Sequence, residues 1–291
     1  EALLAGGGRW GAVPGAVLEM GYLTTEKKKV TVKTFVEMKR DGNKIAMLTA
    51  YDYTTARLID EAGVDSILVG DSASNVMLGN DSTLPITLDE MIVYARGVAR
   101  GCQRALVVCD MPFGTYQVSP EEGVRNAVRL IRETGVDAVK LEGGEEVAPT
   151  IERIANAGIP VVGHLGLTPQ SIHKLGGYGV RARSEVEATK LIADAQALEK
   201  AGCFAVVLEK IPASVAQQVT DLLSVPTIGI GAGSHCDGQV LVYADAMGLT
   251  QGFEPKFLRE FAAMGEELRR GVRAYCEAVK GDEFPNESES Y

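Results

Sequence analysis

Several apolar, strand-like runs in this chain finish in a residue able to bind a metal, carry a proton or hold an anion. Ser66-Ile67-Leu68-Val69-Gly70 leads into Asp71-Ser72, and the run from Ala105 to Cys109 leads into Asp110. Val136 to Val139 continues into Lys140-Leu141-Glu142, Pro160 to Gly163 into His164, and Phe204 to Leu208 into Glu209. Core packing gives a strand no reason to end in a carboxylate. A barrel of parallel strands supplies one, because its active site is assembled at the strands' carboxyl ends. The pattern predicts an enzyme.

Asp71 and Asp110 together suit a hard divalent cation, since Mg²⁺ is commonly held by one or two carboxylates plus substrate oxygens and water. Their alternative role is to cap helices in the loops that follow the strands. Lys140 and Glu142 alternate along one strand, so both side chains face the same side. Inside a barrel, burying either of them alone would cost several kcal/mol. They form either a mutual ion pair or a substrate-binding pair, with Lys140 on a carboxylate and Glu142 orienting metal-bound water. Glu209 closes a nearly all-apolar strand and is placed to act as a general base, the alternative being a salt bridge to Lys210 or a neighbouring loop. His164 is a pocket residue without an assigned role.

These residues need a scaffold, and the punctuation of the chain describes one. Glu61-Ala62-Gly63-Val64-Asp65, Glu133-Thr134-Gly135-Val136-Asp137, Asn156-Ala157-Gly158-Ile159 and Lys200-Ala201-Gly202-Cys203 each put glycine where a helix ends left-handed, with a β-rich run directly after. Thr87-Leu88-Asp89-Glu90, Ser119-Pro120-Glu121-Glu122 and Ser184-Glu185-Val186-Glu187 all fit the capping box, the second with Pro at the first helical position. Strands alternating with helices imply parallel pairing. Candidate strands fall at about 45–50, 65–70, 105–110, 136–142, 159–164, 203–209, 225–230 and 240–246. These βα units predict a (β/α)8 TIM barrel in one domain over residues 30–280, with a doubly wound sheet as the second choice. A helix over 255–279 is expected to cover it.

Gly229-Ile230-Gly231-Ala232-Gly233 lacks dinucleotide-binding spacing, because the third glycine position falls on Ser234. It lets backbone approach an anion or flat ring, or is a tight connection. Gly176-Gly177-Tyr178-Gly179 reads as a mobile loop, with Tyr178 and Arg183 near the mouth.

The bulk composition fits this reading. Of 291 residues, 46% are hydrophobic and 23% charged, and the formal net charge is −10. With no basic block beyond Lys27-Lys28-Lys29, nucleic acid and anionic membrane are poor partners. No run approaches the roughly 20 apolar residues of a membrane helix. Five scattered cysteines without C-x-x-C spacing suit a reducing, cytoplasmic setting, and three histidines argue against a His/Cys zinc site. Residues 1–29 read as a disordered extension without a secretory signal, with Met20 a candidate native start. Residues 281–291 read as a loose tail.

Beyond local patterns, the motifs resemble a known family. Thr49-Ala50-Tyr51-Asp52, Val69-Gly70-Asp71-Ser72, Asp81-Ser82-Thr83-Leu84-Pro85, Val139-Lys140-Leu141-Glu142-Gly143-Gly144, Gly163-His164-Leu165-Gly166-Leu167-Thr168-Pro169-Gln170, Gly229-Ile230-Gly231-Ala232-Gly233 and Asp237-Gly238-Gln239-Val240-Leu241-Val242 resemble ketopantoate hydroxymethyltransferases over about residues 30–285. The resemblance implies a (β/α)8 barrel of the phosphoenolpyruvate/pyruvate type and a cytoplasmic homodecamer. It also implies transfer of a hydroxymethyl group from 5,10-methylenetetrahydrofolate to 3-methyl-2-oxobutanoate, toward pantothenate and coenzyme A. On the same basis Asp71, Asp110 and Glu142 belong to a Mg²⁺ site, Glu142 through water. Ser72 and Lys140 contact the oxo acid together with Asp71 and Asp110, and Glu209 is the proton acceptor. The chain departs from the family at Gly179-Val180-Arg181-Ala182-Arg183, where Lys-Val-Gln-Gly-Arg is frequent. It departs also at Ser74-Asn75, where glycine is usual, and at the terminal Glu289-Ser290-Tyr291.

The implied chemistry agrees with the residues. Removing the C3 proton of an α-oxo acid places negative charge on its keto oxygen. At 4 Å and an effective dielectric of 20, unit charges attract by about 4 kcal/mol, and a divalent ion offers roughly twice that. Mg²⁺ is therefore assigned the enolate and Glu209 the proton. The rival enzyme is a Mg²⁺-dependent lyase or mutase of the phosphoenolpyruvate-mutase/isocitrate-lyase type, whose Lys-Lys-Cys-Gly-His loop is absent here. A catalytically silent barrel is the rival outside enzymology, and the intact Asp71, Asp110, Lys140, Glu142 and Glu209 tell against it.

Overall fold

A computed structural model describes residues 28–291 of the chain. Met20 and nearly all of the expected extension lie outside the described residues. Lys29 already belongs to the folded unit, since its Nζ donates to Ala105 O (2.7 Å) and pairs with Asp137 (2.8 Å).

Strands β1 (Ile45–Thr49), β2 (Ser66–Val69), β3 (Leu106–Asp110), β4 (Ala138–Glu142), β5 (Val161–Gly166), β6 (Cys203–Glu209), β7 (Thr227–Ile230) and β8 (Gly238–Leu241) close into a barrel in chain order. All pairs are parallel, including the closing pair of β1 with β8. The helices are α1 (Val32–Arg40), α2 (Tyr53–Ala62), α3 (Ala73–Val76), α4 (Leu88–Gly101), α5 (Pro120–Thr134) and α6 (Ala148–Asn156). There follow α7 (Ile172–Leu175), α8 (Glu185–Lys200), α9 (Ala213–Leu222), α10 (Tyr243–Ala246) and α11 (Met264–Lys280). This is a (β/α)8 TIM barrel.

The expected helix ends are in place, although of the three expected capping boxes only that of α4 closes in both directions. Gly63, Gly135, Gly158 and Gly202 all have left-handed backbone after their helices, with φ of 97, 81, 87 and 103°. Thr87 and Glu90 cap α4 reciprocally, and Ser119 and Ser184 accept the N–H groups of Glu122 and Glu187.

Two elements differ from expectation. The apolar run at 240–246 is not one strand: β8 stops at Leu241 and the chain turns into α10. Its partner β1 ends at Thr49, and the Tyr243 N–H goes to the Thr49 hydroxyl instead (3.0 Å). A short apolar run does not reveal its own period. The helix expected over 255–279 begins only at Met264. Before it, Phe261 N–H bonds Ala246 O (2.7 Å) and Met264 N–H bonds Met247 O (2.9 Å), holding that segment against the end of α10. Nor does α11 cover the barrel within this chain. Gly265 is its buried residue, whereas Leu268, Val272, Tyr275 and Val279 are exposed. In the tail, a single 3-10 turn spans Glu287–Glu289.

Two apolar layers divide the core. One, including Ile67, Val69, Val107, Val139, Leu141 and Leu198, lies between strands and helices. The other, including Met47, Leu68, Val108, Ala138, Val162 and Val207, fills the barrel. The alternation of a strand puts the polar residues in register with the inner layer: Val108 precedes Asp110 by two, Ala138 precedes Lys140 and Glu142, Val162 precedes His164, and Val207 precedes Glu209. The barrel is apolar at its waist and ionic at its carboxyl end.

Candidate active site

Strand register brings the chemistry together. Asp110 lies beside Lys140 across β3 and β4, and Glu142 beside His164 across β4 and β5. Lys140 Nζ stands 2.9 Å from Asp110 Oδ1 with both side chains buried. The angles of that ion pair miss hydrogen-bond geometry, and Asp110 Oδ1 is a buried oxygen without a hydrogen bond. Its other oxygen, Oδ2, accepts the Asp71 N–H (2.9 Å). Asp71 thus sits against Asp110, and neither side chain caps a helix. Of the two readings left open, capping is excluded.

The mutual pair of Lys140 with Glu142, one of the two readings left open, does not form. The Lys140 cation goes to Asp110, while Glu142 Oε1 meets His164 Nδ1 at 3.1 Å. The opposite ring nitrogen, His164 Nε2, is 3.2 Å from Glu209 Oε2. Glu209 therefore faces His164. Lys210 turns away, its Nζ donating to Tyr178 O (2.5 Å), so the alternative Glu209–Lys210 salt bridge does not form.

Burial and charge set the protonation states. Burial raises the Asp71 carboxyl well above its usual range, and Asp110 and Glu142 raise it further. Burial alone would also raise Glu142, but His164, Lys140 and the Gln170 N–H bring it below its usual value. For His164, burial and nearby Lys140 favour the neutral ring; Glu142 and Glu209 outweigh them and push it up to about 9. His164 is then an imidazolium with Nδ1–H directed at Glu142. Lys140 Nζ, 3.2 Å from the same nitrogen, is a like-charged neighbour rather than a partner. Burial opposes the Lys140 charge, but Asp110, Glu142 and Asp71 raise its pKa overall.

Four carboxylates, Asp71, Asp110, Glu142 and Glu209, face two cations, Lys140 and His164, and burial together with this crowding holds the Asp71 carboxyl toward its neutral form. Among the described residues no three His, Cys, Asp or Glu side chains stand close enough to hold an ion unaided. A pair of carboxylates, with a third acting through water, nevertheless fits a hard divalent cation that keeps substrate and water ligands. The unbonded Asp110 Oδ1 and the raised Asp71 pKa are what such a cation would relieve.

Ser72 is the predicted hydroxyl at the mouth, and the Tyr51 hydroxyl fixes it at 2.7 Å. A side chain at Gly70 would put its Cβ 2.6 Å from Ser72 Oγ, so the close approach needs glycine. Gly166, at φ +95°, lies where a Cβ would fall 2.2 Å from Glu209 O. That absence of a side chain lets Leu167 N–H bond the same carbonyl (2.8 Å). Tyr51, Tyr116 and Gln170 were not predicted as site residues. Tyr51 and Gln170 lie within recognised motifs, but Tyr116 carries no local signal of its contacts.

The glycine-rich segment after β7 is a tight connection: a Cβ on Gly231 would meet the Phe257 ring of the same chain at 3.2 Å. At the departures from the family pattern, Ser74 Oγ donates to Ser82 O (2.7 Å) and Asn75 Nδ2 to Asn80 O (2.8 Å), closing their own loop. Ala182 adopts φ 54°, a left-handed conformation, where glycine is frequent in the family. Arg181 N–H bonds Lys210 O (2.9 Å), tying that loop to the end of β6.

The profile of the family described as ketopantoate hydroxymethyltransferase matches residues 29–287. A relative from Parabacteroides distasonis, named 3-methyl-2-oxobutanoate hydroxymethyltransferase, is 60% identical over 91% of this chain and 97% of its own length. A relative of the same name from Flavobacterium johnsoniae is 58% identical over 94% of this chain and 100% of its own. Among solved structures, 2,3-dimethylmalate lyase superposes with a TM-score of 0.55 at 16% identity, covering 89% of this chain and 91% of its own. Phosphonopyruvate hydrolase, solved with oxalate and Mg²⁺, gives 0.57 at 11%, covering 89% and 92%. These two share the fold of the rival lyase and mutase reading, and at such identity they speak for the fold alone. Identity above half over nearly the whole of the curated relatives decides the matter: this chain belongs to the ketopantoate hydroxymethyltransferase family.

Proposed function

We propose that the barrel mouth transfers a hydroxymethyl group from 5,10-methylenetetrahydrofolate to 3-methyl-2-oxobutanoate, giving ketopantoate and tetrahydrofolate, with water supplying the hydroxyl. The carrying observation is the crowding of four carboxylates against two cations at the mouth, in a chain 60% identical to a protein named for acting on that oxo acid. Asp71 and Asp110 would hold Mg²⁺, with Glu142 through water. Bound there, Mg²⁺ would supply Lewis-acid charge beside the keto oxygen of the oxo acid.

The chain's own residues do the rest. Lys140 and the Tyr51-anchored Ser72 hydroxyl meet the oxo-acid carboxylate and fix which carbon faces Glu209. Glu209 removes the C3 proton, and a positioned base of this kind contributes typically about 10²–10⁴-fold. His164 stands between Glu209, 3.2 Å from its Nε2, and Glu142, which its Nδ1 meets at 3.1 Å, so the base lies beside the acidic cluster. The resulting carbanion equivalent attacks the one-carbon unit delivered by the folate.

Incubating the protein with 3-methyl-2-oxobutanoate, methylenetetrahydrofolate and Mg²⁺ should give ketopantoate. EDTA should abolish the product, and added Mg²⁺ should restore it. Absence of product with both substrates and Mg²⁺ would remove this reading; full activity after exhaustive chelation would remove its metal.

Self-association into a homodecamer belongs to the same proposal. It is supported by the family and by the apolar face that Leu268, Val272, Tyr275 and Val279 leave exposed on α11. Sedimentation at the mass of one chain would remove it. Five unpaired cysteines support a reducing, cytoplasmic setting.

A further inference from the structure

We infer that Gln170 is a positioning residue that sets the spacing of the metal-binding carboxylates, so that divalent-ion affinity depends on it. The inference rests on the proposed metal site and assigns a residue to its support. Gln170 lies in the 3-10 turn Pro169–Ser171 that follows β5, and its side chain is buried. Its backbone N–H donates to Glu142 Oε2 (2.9 Å). Its side-chain Nε2 donates to Asp71 Oδ2 (2.9 Å) and to Met111 O (3.0 Å). Its Oε1 accepts from the Tyr116 hydroxyl (2.7 Å) and from Gln117 Nε2 (3.2 Å). The Tyr116 oxygen in turn accepts the Glu142 N–H (3.0 Å).

Both amide protons and both acceptor positions of this side chain are used, so the network fixes which end is nitrogen. One residue therefore grips Asp71 at the end of β2 and Glu142 at the end of β4, two strands that β3 keeps apart in the sheet. No other side-chain type repeats the set. Glutamate would turn a donor into a carboxylate facing Asp71, and methionine would keep the volume but none of the bonds. Gln170 holds the Asp71 carboxylate through one oxygen, Oδ2, while the Asp71 backbone N–H holds Asp110. Loss of such supporting partners typically costs about 10–100-fold in metal affinity.

The test is Mn²⁺ binding to the full chain without substrate, followed by electron paramagnetic resonance. Gln170→Met should weaken Mn²⁺ by about 10–100-fold while circular dichroism stays that of the folded protein. Tyr116→Phe, which removes the hydroxyl that bonds both Gln170 Oε1 and the Glu142 backbone, leaves the Gln170 bonds to Asp71 and should give a loss of no more than about tenfold. In an Asp71→Asn background, Gln170→Met should add less than about twofold, because a residue acting through Asp71 has little left to position. A merely structural role would predict additive losses instead.

Wild-type affinity in folded Gln170→Met, or full additivity with Asp71→Asn, would overturn the inference. If Gln170→Met does not fold, Tyr116→Phe decides, and an unchanged Mn²⁺ affinity there would overturn it equally. Failure of the wild-type chain to bind Mn²⁺ at all would remove the metal site itself, and the inference with it.

Discussion

At the amino ends of the strands, aspartates are neutralised one by one; at the carboxyl ends they are crowded together. Asp65, just before β2, accepts the Ala46 N–H of β1 (3.0 Å) and pairs with Arg104 (2.9 Å). Asp137, before β4, accepts the Val107 N–H of β3 (2.8 Å) and pairs with Lys29 (2.8 Å). Asp237, before β8, accepts the Thr227 N–H of β7 (2.9 Å) and pairs with Lys39 (2.8 Å). Asp60 takes the N–H groups of Gln103, Arg104 and Ala105. Asp65, Asp137 and Asp237 each fasten one strand to its neighbour, whereas Asp60 ties the end of α2 to the segment before β3.

The mouth follows a different economy of charge. Its four carboxylates share Lys140 and His164, one oxygen has no hydrogen bond, and Asp71 is pushed toward its neutral form. A scaffold has no use for such an arrangement, because uncompensated buried charge is costly. The same residue types hold the barrel closed at one end and are crowded against one another at the other.

The largest effect should come from deepening the imbalance at the mouth. Lys140→Met leaves Asp110 buried beside Asp71 without its cation and should destabilise the metal-free protein by about 3–5 kcal/mol in urea unfolding. A change below about 1 kcal/mol would mean that the mouth is already balanced, and the contrast between the ends would fail. Next, Glu209→Gln should lower turnover by at least about 10²-fold while oxo-acid binding persists, read by comparing kcat with substrate affinity. Turnover like that of the unaltered protein would take the base role from Glu209. The smallest effect belongs to the other end. Asp137→Ala strands the Val107 N–H and should cost about 1–2 kcal/mol of stability with kcat unchanged. A drop in kcat at constant fold would show that the two ends are coupled.

Much of the barrel was legible because its signals are local. Gly135 after α5, or Ser119 with Pro120 before it, fixes a helix end through the conformation of neighbouring residues. The strand-end chemistry was readable for a related reason: period-two alternation places Lys140 and Glu142 on one face before any partner is known. Where a segment's fate depended on distant chain, reading failed. Residues 240–246 look apolar enough for a strand, but the end of β1, almost 200 residues earlier, decides where β8 stops. The same holds for the segment before Met264, whose backbone bonds go to Ala246 and Met247 rather than to its own next turn.

The sequence by itself determined the alternation of strands and helices and which residues would stand at the strand ends, because helix stops and strand faces depend on contacts a few residues apart. Only the tertiary structure decided the pairing. It gave Lys140 to Asp110 rather than to Glu142, set His164 between Glu142 and Glu209, and brought Gln170 to Asp71, 99 positions away along the chain. Those partners follow from the register of adjacent strands and from barrel closure, which bring together groups that no local pattern connects.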